Sequence, residues 1–492
     1  MTQSSCLGRL TGFCFIHCQP ILVVTLATVF LAGCAGGGSA PPPLSGSTTV
    51  VLLASSTAND QLAANLATLT SLTLTSQSGK QVAVLASPVG DEFIHLNGHV
   101  EPLVTVSVPQ DVYVSATIDA SGSSYCLDQT PGETAQYEFP SGANSVANLP
   151  NPITVTGTAM GLVLDLQIAP LQGGCPTSST QYVTSPPEVM AAFSLTPMAL
   201  AAQPTNSTNG MAPGLQGLIS SVDAGGTGLT VNALVNVGVL NPPTWHAAVN
   251  GSTVFQTFGA SQLAAGLPVD MDLAIQPDGS LLATRVEAIS TETTTLTTIT
   301  GAAIEVTPSI QTALIFGAAQ AGYIQPEGAV GFGDENFGSA TFQPSSQLGN
   351  YGGLPFTASF NAATIVPGQN LTLTTHATAF TGGPNYTPAT TMTLMPQTIN
   401  GTVSAVSTSG SFTTYTVTLA SYDLFPQFAV QPEQATLLTN PNTVVVYADS
   451  NTQMLNSGTI AAGGVFRFYG LIYNNNGTLR MDCAQVNDGV TE

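Results

Sequence analysis

Leu263-Ala-Ala-Gly266-Leu-Pro-Val269-Asp-Met271, Ile365-Val-Pro-Gly368-Gln-Asn-Leu371-Thr-Leu373 and Ile460-Ala-Ala-Gly463-Gly-Val-Phe466-Arg-Phe468 are one pattern written three times: apolar-x-x-Gly-x-x-apolar-x-apolar. Self-similarity at a near-constant spacing marks tandem copies of one folding unit. The apolar residues after each glycine alternate, which is the period of a strand with one buried face. Each copy is preceded by an opening strand led by glycine: Gly217-Leu-Ile-Ser-Ser-Val222, Gly301-Ala-Ala-Ile-Glu-Val306 and Gly401-Thr-Val-Ser-Ala-Val406. In the first and third copies a tight hairpin follows, at Pro277-Asp278-Gly279 and Asn475-Asn476-Gly477, where Asp-Gly and Asn-Gly supply positive φ.

Roughly five short strands with a glycine at a sharp bend and an apolar interior suit a small closed barrel. The expected units are 214–291, 296–393 and 397–490. The middle one departs from the pattern: it lacks a clear hairpin turn and carries an insertion, Gly331-Phe-Gly-Asp-Glu-Asn-Phe-Gly338, expected to be flexible. Those glycines do not make a dinucleotide fingerprint, because Asn336 occupies a required glycine position.

Upstream, 203–213 has the Pro/Asn/Gly density of a linker. Residues 48–202 hold short β-branched runs, among them 49–53, 69–75, 81–85, 93–96, 103–108, 112–118, 153–158 and 162–168, divided by Gly, Pro, Asn and Asp. Only 58–67 has a helical look. An antiparallel β-sandwich is expected there, so the fold class is all-β: one sandwich followed by three OB-like barrel repeats.

At the N-terminus an apolar run, 21–31, leads into Leu31-Ala32-Gly33-Cys34 and a Gly/Pro/Ser stretch. This reads as a lipoprotein signal peptide over 1–33, a lipidated Cys34 and a tether over 34–47. The apolar run is too short for the roughly 20 residues that a bilayer-spanning helix needs. The arrangement resembles bacterial lipoprotein leaders, and Ala35 after the cysteine implies the outer membrane, periplasmic or surface facing. Residues 48–202 also resemble an uncharacterised N-terminal domain of diderm bacterial lipoproteins, on the strand order and segments such as 109–118. The three repeats are similar to an uncharacterised bacterial family of OB-like domains. Neither resemblance implies an activity.

Charged residues make up 7% of the chain, against roughly a quarter in ordinary soluble domains, with 5 Lys+Arg set against 27 Asp+Glu. Beyond residue 33 the cations are Lys80, Arg285, Arg467 and Arg480. Nucleic acid is therefore excluded as a partner, since phosphate binding needs clustered cations. The membrane is reached through the lipid, and an envelope glycan or protein is the remaining class of partner. Of the cysteines outside the leader and Cys34, Cys126 and Cys175 could pair as a disulfide, and Cys483 is left as a small buried residue on a strand.

Asp91-Glu92-Phe-Ile-His95-Leu-Asn-Gly-His99-Val-Glu101 is the densest group of possible metal ligands. His95 and His99 would share a face of a helix or strand, but Asn97-Gly98 breaks that geometry. The expectation is a hairpin with exposed polar residues and no metal. Asp270 and Asp272 share one strand face, expected to be solvated. Trp245, Tyr469 and Tyr473 could stack on a sugar, with core or rim packing the plainer reading. No G-x-S-x-G or H-E-x-x-H occurs. The sequence therefore points to a non-catalytic, cofactor-free envelope protein with a structural or binding role. A carbohydrate-binding module and an extracytoplasmic hydrolase uniting His95 or His246 with carboxylates are the alternatives.

Overall fold

The computed structural model describes residues 44–56, 62–96, 99–127, 134–138, 143–168, 191–235, 241–256, 258–289, 296–321, 330–345, 353–376, 387–420, 423–429, 436–454 and 459–488. Residues 1–43, which hold the expected leader, Cys34 and most of the expected tether, lie outside them. The fold is all-β.

The first ten strands are β1 (Ser47–Ser55), β2 (Leu62–Ser76), β3 (Gln81–Ala83), β4 (Val89–Glu92), β5 (Glu101–Pro109), β6 (Asp111–Leu127), β7 (Thr134–Glu138), β8 (Ala143–Val155), β9 (Ala159–Ile168) and β10 (Ala191–Met198). They make two sheets, β10-β9-β1-β5 and β3-β2-β6-β7, the second with β4 on β2 and β8 on β6. Val50, Leu52 and Leu164 from one sheet and Leu72, Leu74 and Ile118 from the other share one core. Every pairing in this sandwich is antiparallel except β1 with β9. That parallel pair needs a long crossover, and the whole second sheet lies between its two strands in the chain.

Residues 62–67 are not helical but open β2, while 58–61 lie outside the described residues. From Ala64 to Leu69 every side chain is buried, and a strand covered on both faces loses the alternation that would separate it from a helix. Residues 93–96 are likewise not a strand; they begin the crossing from β4 in one sheet to β5 in the other.

Three further sheets share one plan. The first holds β11 (Met211–Val222), β12 (Gly228–Ala233), β13 (Thr244–Ala248), β14 (Val254–Gln256), β15 (Pro268–Ile275) and β16 (Leu281–Ala288). The second holds β17 (Leu296–Thr307), β18 (Thr312–Ala321), β19 (Val330–Asn336), β20 (Thr341–Pro344), β21 (Asn370–His376) and β22 (Thr387–Leu394). The third holds β23 (Gln397–Ser409), β24 (Phe412–Leu419), β25 (Thr443–Ala448), β26 (Gln453–Met454), β27 (Val465–Asn475) and β28 (Thr478–Asp488), with helix α1 (Leu424–Ala429) between β24 and β25. In each, the third strand pairs in parallel with the last, β13 with β16, β19 with β22 and β25 with β28, so the sheet closes. Leaving aside the short β14, β20 and β26, the five main strands of each unit follow the cyclic order 1-2-3-5-4-1.

The repeated motif has one physical job in all three. Gly266, Gly368 and Gly463 stand at φ of +86°, +92° and +90°, in the turn that delivers the fourth strand, where a side chain would be strained. Their amides donate to Ile219, Ala303 and Val403, the residues at which the three opening strands bulge. The alternating Val269 and Met271, and Leu371 and Leu373, point into the barrels and are fully buried. The segment read as a flexible insertion, 331–338, is for the most part β19, the third barrel strand, paired along β18. The expected 203–213 linker contains an asparagine-built turn: Asn209 Oδ1 accepts the amides of Thr205 and Asn206, and β11 begins at Met211.

The units share cores. Val51, Leu53 and Val100 of the sandwich pack with the first barrel's interior, and Leu471 and Tyr473 of the third barrel enter the core of the second.

Candidate functional site

β4 ends in Asp91 and Glu92, which pair with Ala67 and Leu66 of β2; β5 begins at Glu101, opposite Ala54 of β1. The crossing between them thus carries the chain from one sheet to the other, and acidic residues stand at both ends of it. All three carboxylates are buried, Asp91 and Glu101 completely. The expected exposed hairpin is therefore corrected: because 93–100 crosses between sheets, its flanking polar residues are enclosed.

Glu92 is held by the backbone. Its Oε1 accepts the amides of Asn65 at 2.7 Å and Ile94 at 2.9 Å, and its Oε2 accepts that of His95 at 2.8 Å. The same Oε2 stands 3.2 Å from His95 Nδ1, and His95 Nε2 stands 3.2 Å from Glu101 Oε2. A neutral imidazole has one N–H, so it satisfies one of these carboxylates as a donor and offers a lone pair at its other nitrogen. Glu101 Oε1 is buried without a hydrogen-bond partner. One ligand atom each from Asp91, His95 and Glu101 lie within 4.8 Å of one another. His99, paired with His95 on sequence spacing, stands outside this group.

The other candidates are tied into structure. Asp270 and Asp272 do share a face of β15, but Arg285 on β16 spans them. It pairs with Asp270, reaches Asp272 Oδ2 through Nε at 2.9 Å and reaches Glu287 Oε2 at 3.0 Å. The two aspartates are about a quarter exposed, at 24%, not freely solvated. Partial burial holds the Asp270 carboxyl above its ordinary range, opposed by Arg285. His246 is exposed on β13 and lies 3.3 Å from Asp223.

Trp245 is buried and donates from Nε1 to the carbonyl of Pro102 at 2.8 Å. Tyr469 and Tyr473 are buried as well, so none of the three presents a ring for a sugar. The large apolar side chains exposed among the described residues are aliphatic: Leu44, Leu218, Val254, Ile310, Val406 and Met454. Cys483 is a free buried thiol on β28, its ionisation pushed far up by burial. The Cys126 side chain and Cys175 lie outside the described residues.

No protein-family model matches this chain, and no curated protein matches it.

Proposed function

We propose that this chain is a non-catalytic protein of the cell envelope, lipidated at Cys34, anchored in the outer membrane by that lipid and facing the periplasm or the cell surface. Its sandwich and three OB-like barrels act as a structural or ligand-binding element. The observation that carries this reading is that side chains cross between units and are buried where they cross. Trp245 of the first barrel bonds Pro102 of the sandwich. Arg467 of the third barrel reaches Asp165 of the sandwich at 3.9 Å. The second and third barrels join through Leu471 and Tyr473. Such seams hold four units in one fixed arrangement, which suits presentation from a tether. The OB-like reading draws support from the closed 1-2-3-5-4-1 strand order common to the three units. The lipid anchor draws support from Leu31-Ala32-Gly33-Cys34 and the apolar run before it.

The test is fractionation of cells making Cys34→Ala. The variant is expected in the soluble fraction after a high-salt wash, and continued sedimentation with membranes would refute the anchor. Turnover of any ester, peptide or glycoside substrate by the purified chain would refute the non-catalytic reading.

A further inference from the structure

We propose that Asp91, His95 and Glu101 form a binding site for a divalent metal ion of the zinc class, positioned by Glu92, which fastens the two sheets of the sandwich together beside the first barrel. This inference does not depend on the lipid anchor or on the absence of catalysis.

Three observations carry it. The donor set spans both sheets, with Asp91 on the sheet of β2 and Glu101 on the sheet of β1. Its ligand atoms already lie within 4.8 Å of one another, and the 3.2 Å between His95 Nε2 and Glu101 Oε2 matches the separation of two ligands on one tetrahedral ion, a little over about 3 Å. Glu101, whose Oε2 faces His95, also carries a fully buried oxygen, Oε1, that has no hydrogen-bond partner. A buried carboxylate oxygen left in that state is costly unless a cation, a proton or a hydrogen-bond donor meets it, and a metal ion held by the same cluster would supply the first.

The surroundings prepare the imidazole. In the tautomer whose Nδ1–H donates to Glu92 Oε2, Nε2 keeps its lone pair for the ion, the carboxylate–histidine arrangement common around bound zinc. Glu92 itself is saturated by three backbone amides, which assigns it to orienting His95. One imidazole nitrogen and two carboxylates fit zinc, and also manganese; calcium prefers oxygen alone. Water would complete the coordination.

The only tryptophan gives a direct readout. Trp245 bonds the carbonyl of Pro102, the residue after Glu101. The full-length chain, purified in detergent and stripped with chelator, is titrated with Zn²⁺ by calorimetry and with Co²⁺ while the Trp245 emission is followed. One Zn²⁺ per chain is expected, and Co²⁺ should quench the emission to saturation at the same stoichiometry. Glu101→Gln and His95→Gln should weaken Zn²⁺ binding at least tenfold, Glu92→Gln by about 10–100-fold, and Asp272→Asn not at all. Absence of binding to the unmodified chain, or Co²⁺ binding that leaves Trp245 emission unchanged, would overturn the proposal whether or not the variants fold. Unchanged Zn²⁺ affinity in folded His95→Gln would overturn it as well.

Discussion

Asp423→Asn should stabilise the chain at pH 8 and lose that advantage as the pH falls toward 4. Asp423 is buried just ahead of α1, and its Oδ1 accepts the Phe425 amide at 3.4 Å. Burial raises its carboxyl to about 7 from the ordinary 3.8, against the partial opposition of backbone hydrogen bonds from Phe425, Asn400 and Leu424. The sign follows from proton counting. Below 3.8 the group is protonated whether the chain is folded or not, and burial carries no ionic penalty. Between 3.8 and about 7 the folded chain keeps a proton that the unfolded chain has released, so stability falls as pH rises. Above about 7 the loss is complete, and three units of difference correspond to about 4 kcal/mol. Asparagine caps a helix as well as aspartate and does not titrate.

The effect belongs at the seam between the second and third barrels, because Leu424 and Phe428 of α1 pack on Ala302 and Ile304 of β17. Hydrogen exchange of the α1 amides therefore reads it locally, and the wild-type to variant ratio cancels the intrinsic pH dependence of exchange. That ratio should rise on the order of a hundredfold between pH 5 and pH 8, since tenfold is about 1.4 kcal/mol. A ratio that stays constant across that range would refute the assignment of a raised, buried carboxyl.

Gly401→Ala should cost at least about 2 kcal/mol in urea unfolding, because the added Cβ would lie 2.7 Å from Val417 Cγ1 and closer still to the Thr418 carbonyl oxygen, both on the neighbouring strand β24. Gly463→Ala meets no atom within 4 Å, so it should cost only the strain of positive φ, about 1 kcal/mol. Cys483 should resist a thiol reagent in the native chain at pH 8 and react on unfolding in urea, because burial keeps it protonated and enclosed. Arg467→Met should destabilise by about 3–5 kcal/mol, seen as a fall in the thermal midpoint, since it removes the cation facing buried Asp165.

The barrels were legible because their signals are local. A glycine at positive φ followed by two alternating apolar residues declares a turn and a strand without reference to anything distant, and the three motif glycines take nearly the same φ. Segments whose surroundings decide them were not. Residues 62–67 are rich in alanine and leucine, both good helix formers, and become strand because β6 and β4 flank them. The glycines of 331–338 suggest freedom, yet pairing with β18 places this segment in the barrel wall. The same holds for the candidate site: Asp91 through Glu101 were visible as ligand types, but spacing along one element pairs His95 with His99. The crossing between sheets pairs His95 with Glu101 instead, a long-range fact that no period encodes.

The few cations of this chain sharpen the contrast between its two acidic clusters. Arg285 is placed among Asp270, Asp272 and Glu287, Arg467 faces Asp165, and the Arg480 guanidinium lies over the rings of Phe356 and Tyr447 at 5.6 and 5.8 Å. Lys80 is exposed. Three of the four cations beyond residue 33 are thus committed inside the fold, and the cluster on β15 and β16, which is only partly buried, receives one of them. Asp91, Glu92 and Glu101 are buried more deeply, and the side chain set among them is His95. A divalent ion beside a neutral His95 would bring the three carboxylates, if all were ionised, from three negative charges to one, facing the three amides that hold Glu92. On charge alone, the more buried cluster is the one that calls for a cation from outside the chain.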